Sequence, residues 1–164
     1  MSSSDAFSFR LSDIRNDREA DSLRRKYKEW KVKEDEPLAL SDPQLRTIIT
    51  NTTDQESVKQ LIQWAEKIGY VIKAEGISTA QIRRVFGAVR EIQMKGFDKP
   101  EQRRALLLLK PKLAYTAGRE KKTARLARVL AAAIDYVETG PQFDNFANFF
   151  EAIIAYHRAA GGSN

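Results

Sequence analysis

From Val58 onward, apolar residues recur at three- and four-residue steps, a spacing that admits one kind of secondary structure. Val58, Leu61, Ile62, Ala65, Ile68 and Ile72 form one series, and Ile82, Val85, Phe86, Val89 and Ile92 a second. Leu126, Val129, Leu130, Ala133, Ile134 and Val137 form a third, and Phe146, Phe150, Ile153 and Ile154 a fourth. Residues three and four apart share one face of an α-helix, so each series describes a helix with a buried stripe. No window shows convincing strand alternation. Only eight Gly and five Pro occur in 164 residues, which favours long regular elements over a turn-rich β architecture.

Caps and breakers divide these series into elements. Ser41-Asp42-Pro43 is a cap followed by an early helical proline, predicting a short helix from Gln44 to Ile49. Thr53-Asp54-Gln55-Glu56 reads as a capping box in which Thr53 caps and Glu56 reaches back. Ser78-Thr79-Ala80-Gln81 reads as another, opening a helix to about Met94. After Gly96 and Lys99-Pro100, helical propensity resumes at Glu101 and runs through Leu106-Leu107-Leu108-Leu109. Pro111 is expected to kink or split this helix, because it lacks a backbone donor and crowds the preceding turn. Gly118 is a candidate C-terminal cap. Glu120 to Glu138 and Phe143 to Ala159 complete the set, separated by Thr139-Gly140-Pro141.

The expected fold is all-α: one compact bundle of about five helices spanning residues 41–160. Residues 1–40 read as a charged N-terminal extension, disordered or conditionally helical. They carry Arg24-Arg25-Lys26-Tyr27-Lys28 and Lys33-Glu34-Asp35-Glu36-Pro37, and Ser12 to Val32 offers only a thin stripe of Ile14, Leu23, Tyr27 and Trp30.

Charge is segregated along the chain. Gly76 to Ile134 holds 14 Lys/Arg against 4 Asp/Glu, whereas residues 1–75 hold 13 against 14 and residues 135–164 hold 1 against 4. A very basic middle between mildly acidic ends, coinciding with helical periodicity, points to a surface for a polyanion. At about 100° per residue, Arg83 and Arg90 share one flank of their helix with Gly87 between them, and Arg84 points away from the core. Lys112 and Arg119 share a face with Tyr115 if the helix survives Pro111. Arginine offers a planar fork to phosphate oxygens, lysine a mobile point charge, and tyrosine a stacking or hydroxyl contact. Two partners fit this pattern: nucleic acid, or an acidic protein. Outward charges on solvated helices are also ordinary; the regional excess is what exceeds the ordinary, since balanced surfaces intersperse both signs.

Other classes find little support. With one histidine, His157, and no cysteine, neither a His-pair metal site nor a disulfide framework can form, and a reducing cytoplasm fits. His157 falls on the apolar stripe beside Ile153 and Ile154, the place of a packed structural residue. Asp135 and Glu138 are one turn apart without a second carboxylate cluster, and no phosphate-cradling glycine loop or nucleophile elbow occurs. No enzyme, cofactor or metal is therefore expected. Val129 to Ile134 is the longest uncharged apolar run, far short of a membrane span, and the first residues lack the apolar stretch of a secretory signal. Trp64, Tyr70, Phe143 and Phe149 sit at the margins of their stripes and are read mostly as core.

Three segments carry a family likeness. Thr79-Ala80-Gln81-Ile82-Arg83-Arg84-Val85-Phe86, then Leu107 to Tyr115 continuing through Ala117-Gly118-Arg119, then Phe149 to Arg158 together resemble the small subunit of the type III-A CRISPR effector, the Csm complex. The resemblance covers about Ser57 to Gly162, and the residues before Ser41 match nothing in it. It implies a non-catalytic helical bundle in antiviral defence, present in more than one copy and stacked along the effector. Its partners would be the backbone and large subunits, further copies of itself, and the guide and target RNA. RNA cleavage and signalling chemistry would belong to those other subunits. Carried over by motif, Arg83, Arg84, Lys110, Lys112 and Arg119 are the expected RNA-facing positions; Arg90 rests on the helical-wheel argument. The competing expectation is a purely structural assembly protein whose basic face binds acidic subunits.

Overall fold

A computed structural model describes residues 5–51 and 54–162. Among them are seven α-helices and one two-stranded sheet: β1 (Asp5–Phe9), α1 (Asp17–Glu29), β2 (Leu38–Ser41), α2 (Asp42–Thr50), α3 (Gln55–Ala74), α4 (Thr79–Lys95), α5 (Pro100–Arg119), α6 (Ala124–Ile134) and α7 (Gly140–Ala159). Short 3-10 turns at Leu11–Asp13 and Lys121–Thr123 complete the path. The fold is mostly α, with more helices than the five expected. None is long and apolar enough to cross a membrane.

Helix α7 is the hub. Its most extensive packing is against α3, and it also meets α2, α4 and α6. Phe143, Phe146, Phe149, Phe150 and Ile153 are fully buried along it, and Phe97 stacks on Phe143 at 4.9 Å between ring centroids. Gly69 of α3 is what lets α7 come so close. A Cβ there would stand 2.8 Å from the His157 backbone nitrogen and 2.9 Å from the Ile153 carbonyl oxygen, so any side chain would force the helices apart.

Where the sequence suggested an extension, the structure has ordered elements built into the same core. β1 and β2 pair antiparallel, Phe7 opposite Leu40 and Phe9 opposite Leu38, with an irregularity between Asp5 and Phe7. All four side chains are buried. Asn16 caps α1 by accepting from the Glu19 backbone N–H, and Leu23 and Tyr27 sink into the core. The charge that suggested disorder is matched across the seam between α1 and α3. Lys26 meets Glu66 at 3.3 Å, Lys73 meets Glu19 at 2.7 Å, and Trp30 donates from Nε1 to Glu66. Aromatic rings supply the burial that the sparse aliphatics of this segment could not.

Five further readings change. Thr53 lies outside the described residues, and α3 is capped by Asp54, whose side chain accepts from the Glu56 N–H. Val58 and Ile62, placed on the buried stripe of α3 by their spacing, are exposed. Pro111 neither ends nor divides α5, and Gly118 lies inside that helix, whose C-cap is Glu120. The 120–138 helix is instead a 3-10 turn followed by the shorter α6. The capping box expected at Ser78 is formed, Ser41 caps as expected and closes a box with Gln44, and Thr139, read only as part of a break, caps α7 in a box with Gln142.

Candidate nucleic-acid interface

Helix α4 buries Ile82, Val89 and Ile92. Fixing that stripe turns Arg83, Arg84, Gly87, Arg90 and Met94 to solvent. Arg83 and Arg90 occupy the flank toward α7. There Arg90 faces Glu151 at 3.7 Å and lies 5.9 Å from the centroid of Phe86, which itself stands edge-on to Phe150. Both partners of that ion pair are more than half exposed, so water screens it and a stronger anion can displace it. Arg83 and Arg84 form no ion pair among the described residues.

Helix α5, packed against α4, carries further exposed cations. Because the helix runs unbroken through Pro111, Lys112, Tyr115 and Arg119 all face solvent, and the Arg119 guanidinium lies 5.9 Å from the Tyr115 ring centroid. Tyr115 is 65% exposed. Lys112 lines a cleft of about 250 Å³ between α4 and α5 together with Glu91, Lys95 and Leu108. Lys95 donates to Glu91 at 2.8 Å, and this bond holds the Glu91 carboxyl below its ordinary range, helped by the charges of Lys95 and Lys112. The cleft rim is therefore cationic, with one neutralised acid in it.

Lys110 does not join this group. It turns toward α6 and pairs with Asp135, so the six expected positions divide. Arg83, Arg84, Arg90, Lys112 and Arg119 are exposed on α4 and α5, whereas Lys110 is half-buried at the α5–α6 side. Nor is the whole cationic excess of this region free. Arg125 donates from Nε to the Ser8 carbonyl at 2.9 Å and pairs with Glu75 and with Asp13 at 2.7 Å, and Lys122 donates to the Gly76 carbonyl.

Sequence reasoning missed the apolar part of the same surface. Met94 is 85% exposed, Leu107 57% and Leu108 54%. The signal was available: four consecutive leucines wrap most of a helix circumference, so some must face out. His157 stands apart from all of this. It is fully buried, its Nε2 donating to the Ile77 carbonyl at 2.6 Å and its Nδ1 3.4 Å from the Thr79 hydroxyl.

The fold and this surface define a class: a small, mostly helical protein whose two neighbouring helices present cations and apolar side chains together. Residues 55–163 match the family described as Csm2 Type III-A. The chain belongs to that family, the small subunits of the type III-A CRISPR effector. No curated protein and no solved structure matches it. The family match spans α3 to α7 and includes every expected RNA-facing residue; β1, α1, β2 and α2 lie before it.

Proposed function

We propose that this protein is a non-catalytic, RNA-channel subunit of the type III-A effector, stacked in several copies beside the backbone subunits. Its α4–α5 face lies along the sugar–phosphate backbone of the target strand paired to the guide. Contacts to phosphate position a strand without reading its sequence, which suits a subunit that must accept any target chosen by base pairing. The observation carrying this reading is that Arg83, Arg84, Lys112 and Arg119, on two helices that pack against each other, are exposed without an ion pair among the described residues. A fold has no internal need for such a set. The exposed Leu107, Leu108 and Met94 suit contact with a neighbouring subunit or a further copy at the margin of the same face.

The test is the double charge reversal Arg83→Glu with Lys112→Glu in the reconstituted complex. Assembly and subunit ratio should be unchanged while target-RNA retention weakens. The dependence of log affinity on log salt should flatten by roughly 0.7–0.9 for each phosphate that is no longer neutralised. Loss of the complex itself, with RNA affinity of the free subunit unaffected, would instead favour the purely structural reading in which the basic face binds acidic subunits.

A further inference from the structure

Several glycines of this chain have an identifiable duty within the fold, whereas Gly87, Gly118 and Gly140 have none. Gly69 admits α7, and Gly76, Gly96 and Gly161 have positive φ angles of 88°, 97° and 100°. Gly87 has neither reason. It lies in the middle of α4, fully helical, and a Cβ added there would meet nothing within 4 Å. Alanine at such a site would fit without strain and favour the folded state by up to roughly fivefold, because glycine is the weaker helix former. Gly118 also meets nothing, but it sits in the last turn of α5, where the penalty is small. At Gly87 a helix-weakening residue is kept where the isolated molecule does not require it.

What surrounds Gly87 says what the bare backbone is for. Arg84 and Arg83 lie one turn before it and Arg90 one turn after, roughly 10 Å separating Arg83 and Arg90 along the axis. Met94 lies a further turn on. The surface there is thus bare backbone, with guanidinium-bearing residues one turn to either side. Close approach of another backbone is a recognised use of glycine, and the flanking charge selects a polyanion over a neutral helix.

We propose that Gly87 is the point at which the phosphodiester backbone of the target strand lies directly on α4, with Arg83 and Arg90 gripping phosphates on either side. The inference rests on the RNA-channel reading above and adds to it a contact that depends on shape rather than charge.

The experiment compares wild type, Gly87→Ala and Gly87→Leu, first as free subunits and then in the reconstituted effector with a matched target RNA. Both substitutions should raise the unfolding midpoint of the free subunit and leave subunit ratios unchanged. RNA dissociation should accelerate with side-chain size, reaching on the order of tenfold weaker binding for leucine, the scale of removing one charge-assisted hydrogen bond. Unchanged RNA affinity in an intact Gly87→Leu complex overturns the proposal. Failure of that variant to enter the complex also overturns it, and assigns the bare backbone at Gly87 to a protein neighbour. If the Arg83/Lys112 reversal weakens RNA binding while Gly87→Leu does not, only this inference fails; if neither does, the RNA-channel reading falls with it.

Discussion

His157 shows how one residue links helix packing to solution conditions. Its Nε2–H donates to the Ile77 carbonyl, so Nδ1 is the acceptor facing Thr79, and the neutral ring is the form that fits. Burial lowers its pKa, the Ile77 bond partly opposes this, and the charges of Arg158 and Lys73 lower it further. The unfolded chain therefore binds this proton more readily than the native one. Stability from the neutral ring is fully present above the ordinary histidine value of about 6.5 and is lost as pH falls below it. Buried Glu75 acts in the opposite sense, its carboxyl raised by burial against the pull of Arg125, so its contribution declines as pH rises. Comparison with His157→Gln isolates the histidine. The variant should melt lower at pH 7 yet lose less on going from pH 7 to pH 5; parallel melting profiles would refute the assignment. The structural role of His157 was legible because it shares a stripe with Ile153 and Ile154. Its partners were not, since Ile77 and Thr79 lie some eighty residues earlier.

Among the elements, α5 departs most from expectation. Leu106, Leu109 and Leu113 bury on its inner side, and its most extensive packing is against α6, so tertiary contact holds the helix together across Pro111. The ring faces solvent, and the carbonyl left without a partner belongs to exposed Leu107, where water can satisfy it. Pro111→Ala should accordingly stabilise the protein by about 1–3 kcal/mol, seen as a higher urea midpoint at unchanged slope. An unmoved midpoint would mean that the helix already accommodates the proline at no cost. The contrast between caps and strands explains what could be read in advance. A capping box is complete within four residues, so Ser41 and Ser78 announce their helices locally, and Thr139 carries the same local pattern behind what reads as a Gly-Pro break. A strand of four or five residues is defined by a partner: Phe7-Ser8-Phe9 alternates too briefly to register until Leu38-Ala39-Leu40 lies beside it. The basic surface follows the same division. Periodicity oriented Arg83, Arg84 and Arg90 on one helix, but only packing revealed that Lys110 turns aside to Asp135.

At the scale of the whole molecule, the segment before the family match is fastened to the helical core through Arg125. That side chain reaches the β1 carbonyl of Ser8, Asp13 after the strand, and Glu75 beyond α3, and its guanidinium lies 5.2 Å from the Phe9 ring centroid. Arg125→Met keeps much of the packing volume but strands the largely buried Glu75. It should cost about 2–3 kcal/mol, and hydrogen exchange should show the loss concentrated in β1 and β2. A uniform loss over α3 to α7 would contradict the fastening role. The placement of α7 has a different kind of consequence. The hub of the core comes late in the order of elements, and its tightest crossing joins Gly69 to residues more than eighty positions later. The aromatic interior therefore cannot close until the residues after Thr139 have been made, and a message interrupted upstream of Thr139 yields a product in which α3 lacks its main packing partner and is open to proteolysis.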